Sequence, residues 1–152
     1  MPTISQLLAS TAAATITLAS LANGSGRAST AIDNSSGLNY SADILVKIKT
    51  GASGVSATGY VDIYLIRSED GTLFEDSFGG TDAAYVPLNA VKIDTIFVSA
   101  NATTYPMMIN TSRFGELPRK FCIGVYNASG AALDSTGGNH AVNYTLKKHS
   151  VA

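Results

Sequence analysis

Apolar and polar residues alternate along most of this chain, and a period of two leaves few folds open to it. Tyr40 to Lys49 sets Ala42, Ile44, Val46 and Ile48 on one side, with Asp43, Lys47 and Lys49 on the other. That is the pattern of a half-buried antiparallel strand. Tyr60 to Arg67 repeats it, with Val61, Ile63 and Leu65 against Asp62 and Tyr64. Lys92 to Ser99 puts Ile93, Thr95, Phe97 and Ser99 on one face. Tyr105 to Asn110 is a further strand, and Pro106 suits it to a sheet edge. Lys120 to Asn127 groups Phe121, Ile123 and Val125, and Ala141 to Lys147 groups Val142, Tyr144 and Leu146.

Turn chemistry separates these runs. Gly51-Ala52-Ser53-Gly54, Ser68-Glu69-Asp70-Gly71, Ala128-Ser129-Gly130 and Thr136-Gly137-Gly138-Asn139 each end a strand. Thr72 to Phe74 begins a short return strand, and residues 75–90 form the longest irregular stretch. Helical spacing is confined to residues 3–14, where Ser5 could cap a short turn. Some eight short strands with Gly-rich turns predict an all-β chain: an antiparallel β-sandwich, jelly-roll-like, with an extended N-terminal arm.

The arm is residues 1–26 and the β-sandwich domain residues 27–152. The arm carries no charged side chain and ends in the flexible break Asn23-Gly24-Ser25-Gly26. Its apolar residues are Ile4, Leu7, Leu8, Ile16, Leu18 and Leu21. These are the expected contacts with another subunit or a shell, made by apolar burial or strand addition. Residues 12–20 also alternate, and read equally well as the first strand of the sandwich.

Charge bounds the function. Only 14% of the 152 residues are charged, against roughly 25% in ordinary globular chains. So much neutral surface usually meets a partner. Ten Lys and Arg against eleven Asp and Glu leave a net charge of −1. The groupings Arg119-Lys120 and Lys147-Lys148-His149 are too small to grip a phosphate backbone, so no nucleic-acid partner is expected. Residues 2–22 resemble a signal peptide only faintly. The first basic residue is Arg27, and Ser and Thr interrupt the apolar run, which also argues against a membrane span. Synthesis in the cytoplasm without export by this route is the expectation.

No constellation announces catalysis. Cys122, the single cysteine, lies in the apolar run Phe121-Cys122-Ile123 and reads as a buried thiol. Asp134 and His140 could pair, but their loop reads better as a turn whose Asp, Asn and Gly satisfy backbone groups. Glu69-Asp70 with Glu75-Asp76 lacks the alternating ligands of a calcium loop. No catalytic residue, cofactor or metal site is expected. Carbohydrate binding is the serious alternative, with Tyr64, Tyr85 and Tyr105 as stacking candidates, weakened by the lack of Trp.

Two stretches carry a resemblance. Arg27, Ser29, Asp33 and Asn34 open the first, and Leu133, Asp134, Thr136, Gly138, Asn139, His140, Val142 and Tyr144 form the second. Together they resemble a group of small virion proteins of tailed bacteriophages, over most of residues 27–145. The resemblance implies a structural virion component and brings no catalytic residues. Cement or decoration proteins of phage heads are the first expectation, as a homo-oligomer, a trimer, bound to the major capsid protein or another virion protein. A tail, collar or fibre-attachment piece is the second.

Overall fold

The computed structural model describes residues 4–151; residues 1–3 of the expected arm and Ala152 of the expected domain lie outside them. The strands are β1 (Ile4–Leu8), β2 (Ala12–Ala13), β3 (Ser25–Ala28), β4 (Ile32–Asp33), β5 (Ser41–Lys49), β6 (Gly59–Ser68), β7 (Ala83–Tyr85), β8 (Val91–Val98), β9 (Thr104–Asn110), β10 (Lys120–Ala128) and β11 (Ala141–Val151). They form two antiparallel sheets. The first runs β1–β11–β5–β9, with β2 also on β11. The second runs β7–β3–β10–β6–β8, with β4 also on β10.

The pairing is nested. β1 and β2 lie on β11, β3 and β4 on β10, β5 on β9, and β6 on β8. Apart from β6 and β8, neighbours in this series lie in opposite sheets. That is the jelly-roll winding, with β7 added outside β3.

Alternation fills the space between the sheets. Ala42, Ile44, Val46 and Ile48 of β5 face Val61, Ile63 and Leu65 of β6 and Phe121, Ile123 and Val125 of β10, all buried. Each large aliphatic or aromatic side chain removed from water contributes roughly 1.5–3 kcal/mol before entropy is subtracted. These faces match the sequence pattern.

Four expectations change. The spacing of Ile4, Leu7 and Leu8 suggests a helical turn, yet these residues form β1. The uncharged leading segment does not stand apart from the domain: it is the first strand of the jelly roll, and the boundary expected after residue 26 falls inside β3. Past Lys147, which pairs with Ser41 at the start of β5, β11 finds its partner in β1. Leu8 pairs with Lys147 and Ala12 with Tyr144, so four steps on one strand meet three on the other. The mismatch is a bulge.

In β8 the sequence groups Ile93, Thr95 and Phe97, but a register shift opposite Ile63 and Tyr64 breaks the phase. Ile93, Ile96 and Val98 point inward, and Phe97 points to solvent. Thr72 to Phe74 forms no strand. The stretch 69–90 instead folds over the outer side of the second sheet. There Phe78 and Tyr85 cover Ala28, Ile66 and Cys122, making a second small core.

Candidate assembly edge

Among the described residues the longer outer strands are β1 and β9 of the first sheet and β7 and β8 of the second, while β2 and β4, two residues each, sit beside β1 and β3 on β11 and β10. An outer strand offers unpaired amides to any passing strand, and proteins usually blunt it by shortness, charge, Pro or a bulge. β7 has three residues. β8 carries Lys92, Asp94 and its register shift. β9 carries Pro106. β1 reads Ile-Ser-Gln-Leu-Leu and is exposed along its whole length.

The ladder tells which amides are free. Ala9 N–H donates to the Leu146 carbonyl at 2.9 Å, in the register of β1 on β11. Alternate residues of an antiparallel strand turn their backbone groups to the same partner. Ser5, Leu7 and Ala9 therefore bond β11, while Ile4, Gln6 and Leu8 turn theirs to the open side. The same reasoning applies to β9. Thr50 N–H donates to the Thr103 carbonyl at 3.0 Å in that ladder's register, which turns position 106 outward. Pro106 thus deletes an outward donor, and Gln6 keeps one.

The six residues expected as contacts divide between surface and core. Ile4, Leu7 and Leu8 are 70%, 43% and 61% exposed. Leu18 is 2% exposed and belongs to the core, so the structure removes it from any surface contact. Ile16 and Leu21 are half-buried against the same core. Gln6 was missed by the sequence reading. Its side-chain amide donates to the Tyr40 hydroxyl at 2.5 Å, and Tyr40 stacks on His149 with ring centroids 4.4 Å apart.

The residues that carry the resemblance hold loops. Arg27 Nε donates to the Asp82 carboxylate at 2.6 Å, and Asp82 also accepts from the Thr17 amide and hydroxyl. Burial disfavours the Asp82 charge, but Arg27 and Thr17 outweigh it and lower its pKa. The buried Ser29 hydroxyl accepts from Ile123 N–H. The buried Asn34 amide donates to the carbonyls of Asn39 and Pro118, and its oxygen accepts from Asn39 N–H.

Asp134 and His140 do not form a catalytic pair. His140 Nδ1 accepts from Lys49 N–H at 3.3 Å, and Nε2 meets the Asp134 main-chain carbonyl at 2.9 Å. The Asp134 carboxylate accepts from Asn139 and Thr136, which, with Lys49 nearby, lower its pKa to about 2.

Three of the four acidic residues, Asp70, Glu75 and Asp76, are likewise bonded within the protein. Glu75 accepts from Arg67 Nε and a terminal guanidinium nitrogen at 3.0 and 2.6 Å. Asp70 accepts from Thr72 and Leu73 N–H. Asp76, at φ +58°, accepts from the N–H groups of Leu88, Asn89 and Ala90 and from the Tyr85 hydroxyl. Burial disfavours the Asp76 charge, yet these donors hold its pKa below the usual range. Among the described residues no group of three or more His, Cys, Asp or Glu is placed to hold a metal. Burial pushes the Cys122 thiol up to about 12.

Of the tyrosines proposed for stacking on sugar, Tyr85 is buried, Tyr64 is half-buried beside it, and the Tyr105 hydroxyl accepts from Ser99 and Ala100 N–H. The exposed aromatic pair is another: Phe97 of β8, 76% exposed, lies opposite Tyr60 of β6, 39% exposed.

No protein-family model and no curated protein matches the sequence. Solved structures with some likeness include that of tomato aspermy virus, at 13% identity over 97% of this chain and 76% of that one, with a TM-score of 0.37. Another is Desmodium yellow mottle tymovirus, at 14% identity over 100% of this chain and 89% of that one, with a TM-score of 0.39. A third is a xylan-binding domain from Paenibacillus barcinonensis, at 10% identity over 80% of this chain and 70% of that one, with a TM-score of 0.38. Likeness at this level leaves the function of this chain to be argued from its own residues.

Proposed function

We propose that this chain is a structural virion protein that cements or decorates the head of a tailed bacteriophage by bridging neighbouring shell subunits. One observation carries the assembly role: the strand β1 is uncharged and exposed over Ile4–Leu8, its bulge falling only past Leu8, while β7, β8 and β9 each carry a guard. The phage setting rests on the sequence resemblance, whose Arg27, Ser29, Asn34, Asp134 and His140 brace the loops of a rigid building block. The mechanism is mass action. Copies that bind only the assembled shell stabilise it in proportion to their occupancy, and clamps between subunits resist the outward pressure of a packaged genome.

The test is add-back to heads prepared from a phage lacking this gene. Wild-type protein should bind saturably and raise the temperature at which the heads release DNA. Heads that neither take up the protein nor gain heat resistance would overturn the reading. The Tyr60–Phe97 pair favours a second reading, a glycan-binding module, because adjacent exposed rings suit stacking on a sugar face. Saturable binding on a glycan array, lost in Phe97→Ala, would support that reading instead.

A further inference from the structure

We propose that the partner at β1 is a second copy of this chain, joined strand to strand about a two-fold axis through Gln6. The inference names the partner within the assembly role proposed above, and it stands on three observations.

First, the backbone groups of Ile4, Gln6 and Leu8 face the open side, so a strand can add there without breaking a bond to β11. Second, the strand is self-complementary. In an antiparallel pairing centred on Gln6, Ile4 lies opposite Leu8 of the second copy, Gln6 opposite Gln6, and Leu8 opposite Ile4. Residues 4, 6 and 8 share one side of the sheet. The two most exposed apolar side chains of β1 therefore cover each other twice, at 70% and 61% exposure in the single chain. Third, β1 has no charge to be set against its own image. A self-pairing strand bearing one Lys or Glu at its centre would place like charges face to face. Symmetry of this kind gives a closed, isologous dimer, where the sequence resemblance implies a trimer. In the cement role each copy rests on its own shell subunit, and the β1 ladder ties the two.

The register makes a charge-swap test possible. Gln6 is exposed, so Gln6→Lys and Gln6→Glu are expected to fold, checked by circular dichroism. Sedimentation of the wild type across the micromolar range should show a monomer–dimer equilibrium. Each variant alone should dimerise at least about tenfold more weakly, from like charges placed directly opposite. An equimolar mixture of the two should recover dimer. Gln6→Cys should cross-link on mild oxidation, since directly opposed, hydrogen-bonded residues have Cα atoms about 5.5 Å apart, within disulfide range. Leu8→Cys, whose partner is Ile4, should not. A wild type that stays monomeric throughout, or Gln6→Lys that dimerises as well as the wild type, would overturn the proposal.

The two readings fail separately. Monomeric protein that still binds and strengthens heads would end the dimer and leave the cement role. A dimer with no affinity for heads would do the reverse.

Discussion

β1 and β9 are the two outer strands of one sheet, and they treat the same problem in opposite ways. β9 places Pro106 where an amide would face solvent, buries Ile109 at 2% exposure, and ties its Tyr105 hydroxyl to the turn at Ser99 and Ala100. β1 leaves Gln6 at the matching outward position and exposes all five residues. An edge left open on one side of a sheet that is guarded on the other is a place where pairing is useful. The fold needs β9 for its core; β1 contributes mainly backbone bonds to β11.

The sharpest separation of the two strands is in stability. Ile109→Ala should lower unfolding stability by about 2–5 kcal/mol through lost burial and a cavity, read by urea denaturation. Leu8→Ala, on the exposed strand, should change it by less than about 0.5 kcal/mol while weakening self-association. Equal losses at both sites would break the contrast.

Asp76 tests whether the outer cover of the second sheet is equally integral. Asp76→Ala orphans the N–H groups of Leu88, Asn89 and Ala90 and the Tyr85 hydroxyl. It should cost about 1–3 kcal/mol and open residues 69–90 to proteolysis, with β1 association intact.

Acid should act on the same side of the contrast. Asp43, Asp76, Asp82 and Asp134 have folded pKa values below the ordinary carboxylate value. Groups lowered on folding contribute fully above the unfolded pKa of about 3.9. That stability is lost as pH falls through the folded values, down to about 2 for Asp134. Urea midpoints should therefore hold steady above about pH 4 and fall below it. β1 has no titratable side chain of its own to add to the loss. The smallest effect is expected from giving β9 an amide: Pro106→Gln should leave stability nearly unchanged and add a weak second mode of association, seen as species larger than a dimer. A variant that sediments as the wild type would show that proline is not the guard.

The strands that alternate cleanly are legible in the sequence itself. β5, β6, β10 and β11 fall where Ile44, Ile63, Phe121 and Val142 predict, because burying one face of a pleated strand leaves its pattern in the residues. β8 was half legible. Its bulge sits opposite Ile63 and Tyr64, residues about thirty positions away, and nothing local to Phe97 signals that the phase is broken. β1 lies within residues 3–14, where Ser5 could cap a short turn, and pairing with the distant β11 makes it a strand instead. At the site, the lack of charge was visible in the sequence. The outward amide of Gln6 was not, since register against β11 decides it. Leu18 looks like its neighbour Ile16 in sequence, but only tertiary packing sends it into the core.

The nested pairing has a consequence in time. Because β1 lies against β11, it can dock only after the far later β11 has been made and has left the ribosome. Contacts this distant along the chain form slowly, and an unpaired strand is what drives nascent chains to associate early. The segment best suited to join two molecules thus waits long for its own partner, and how soon β11 emerges governs whether β1 first meets kin or self.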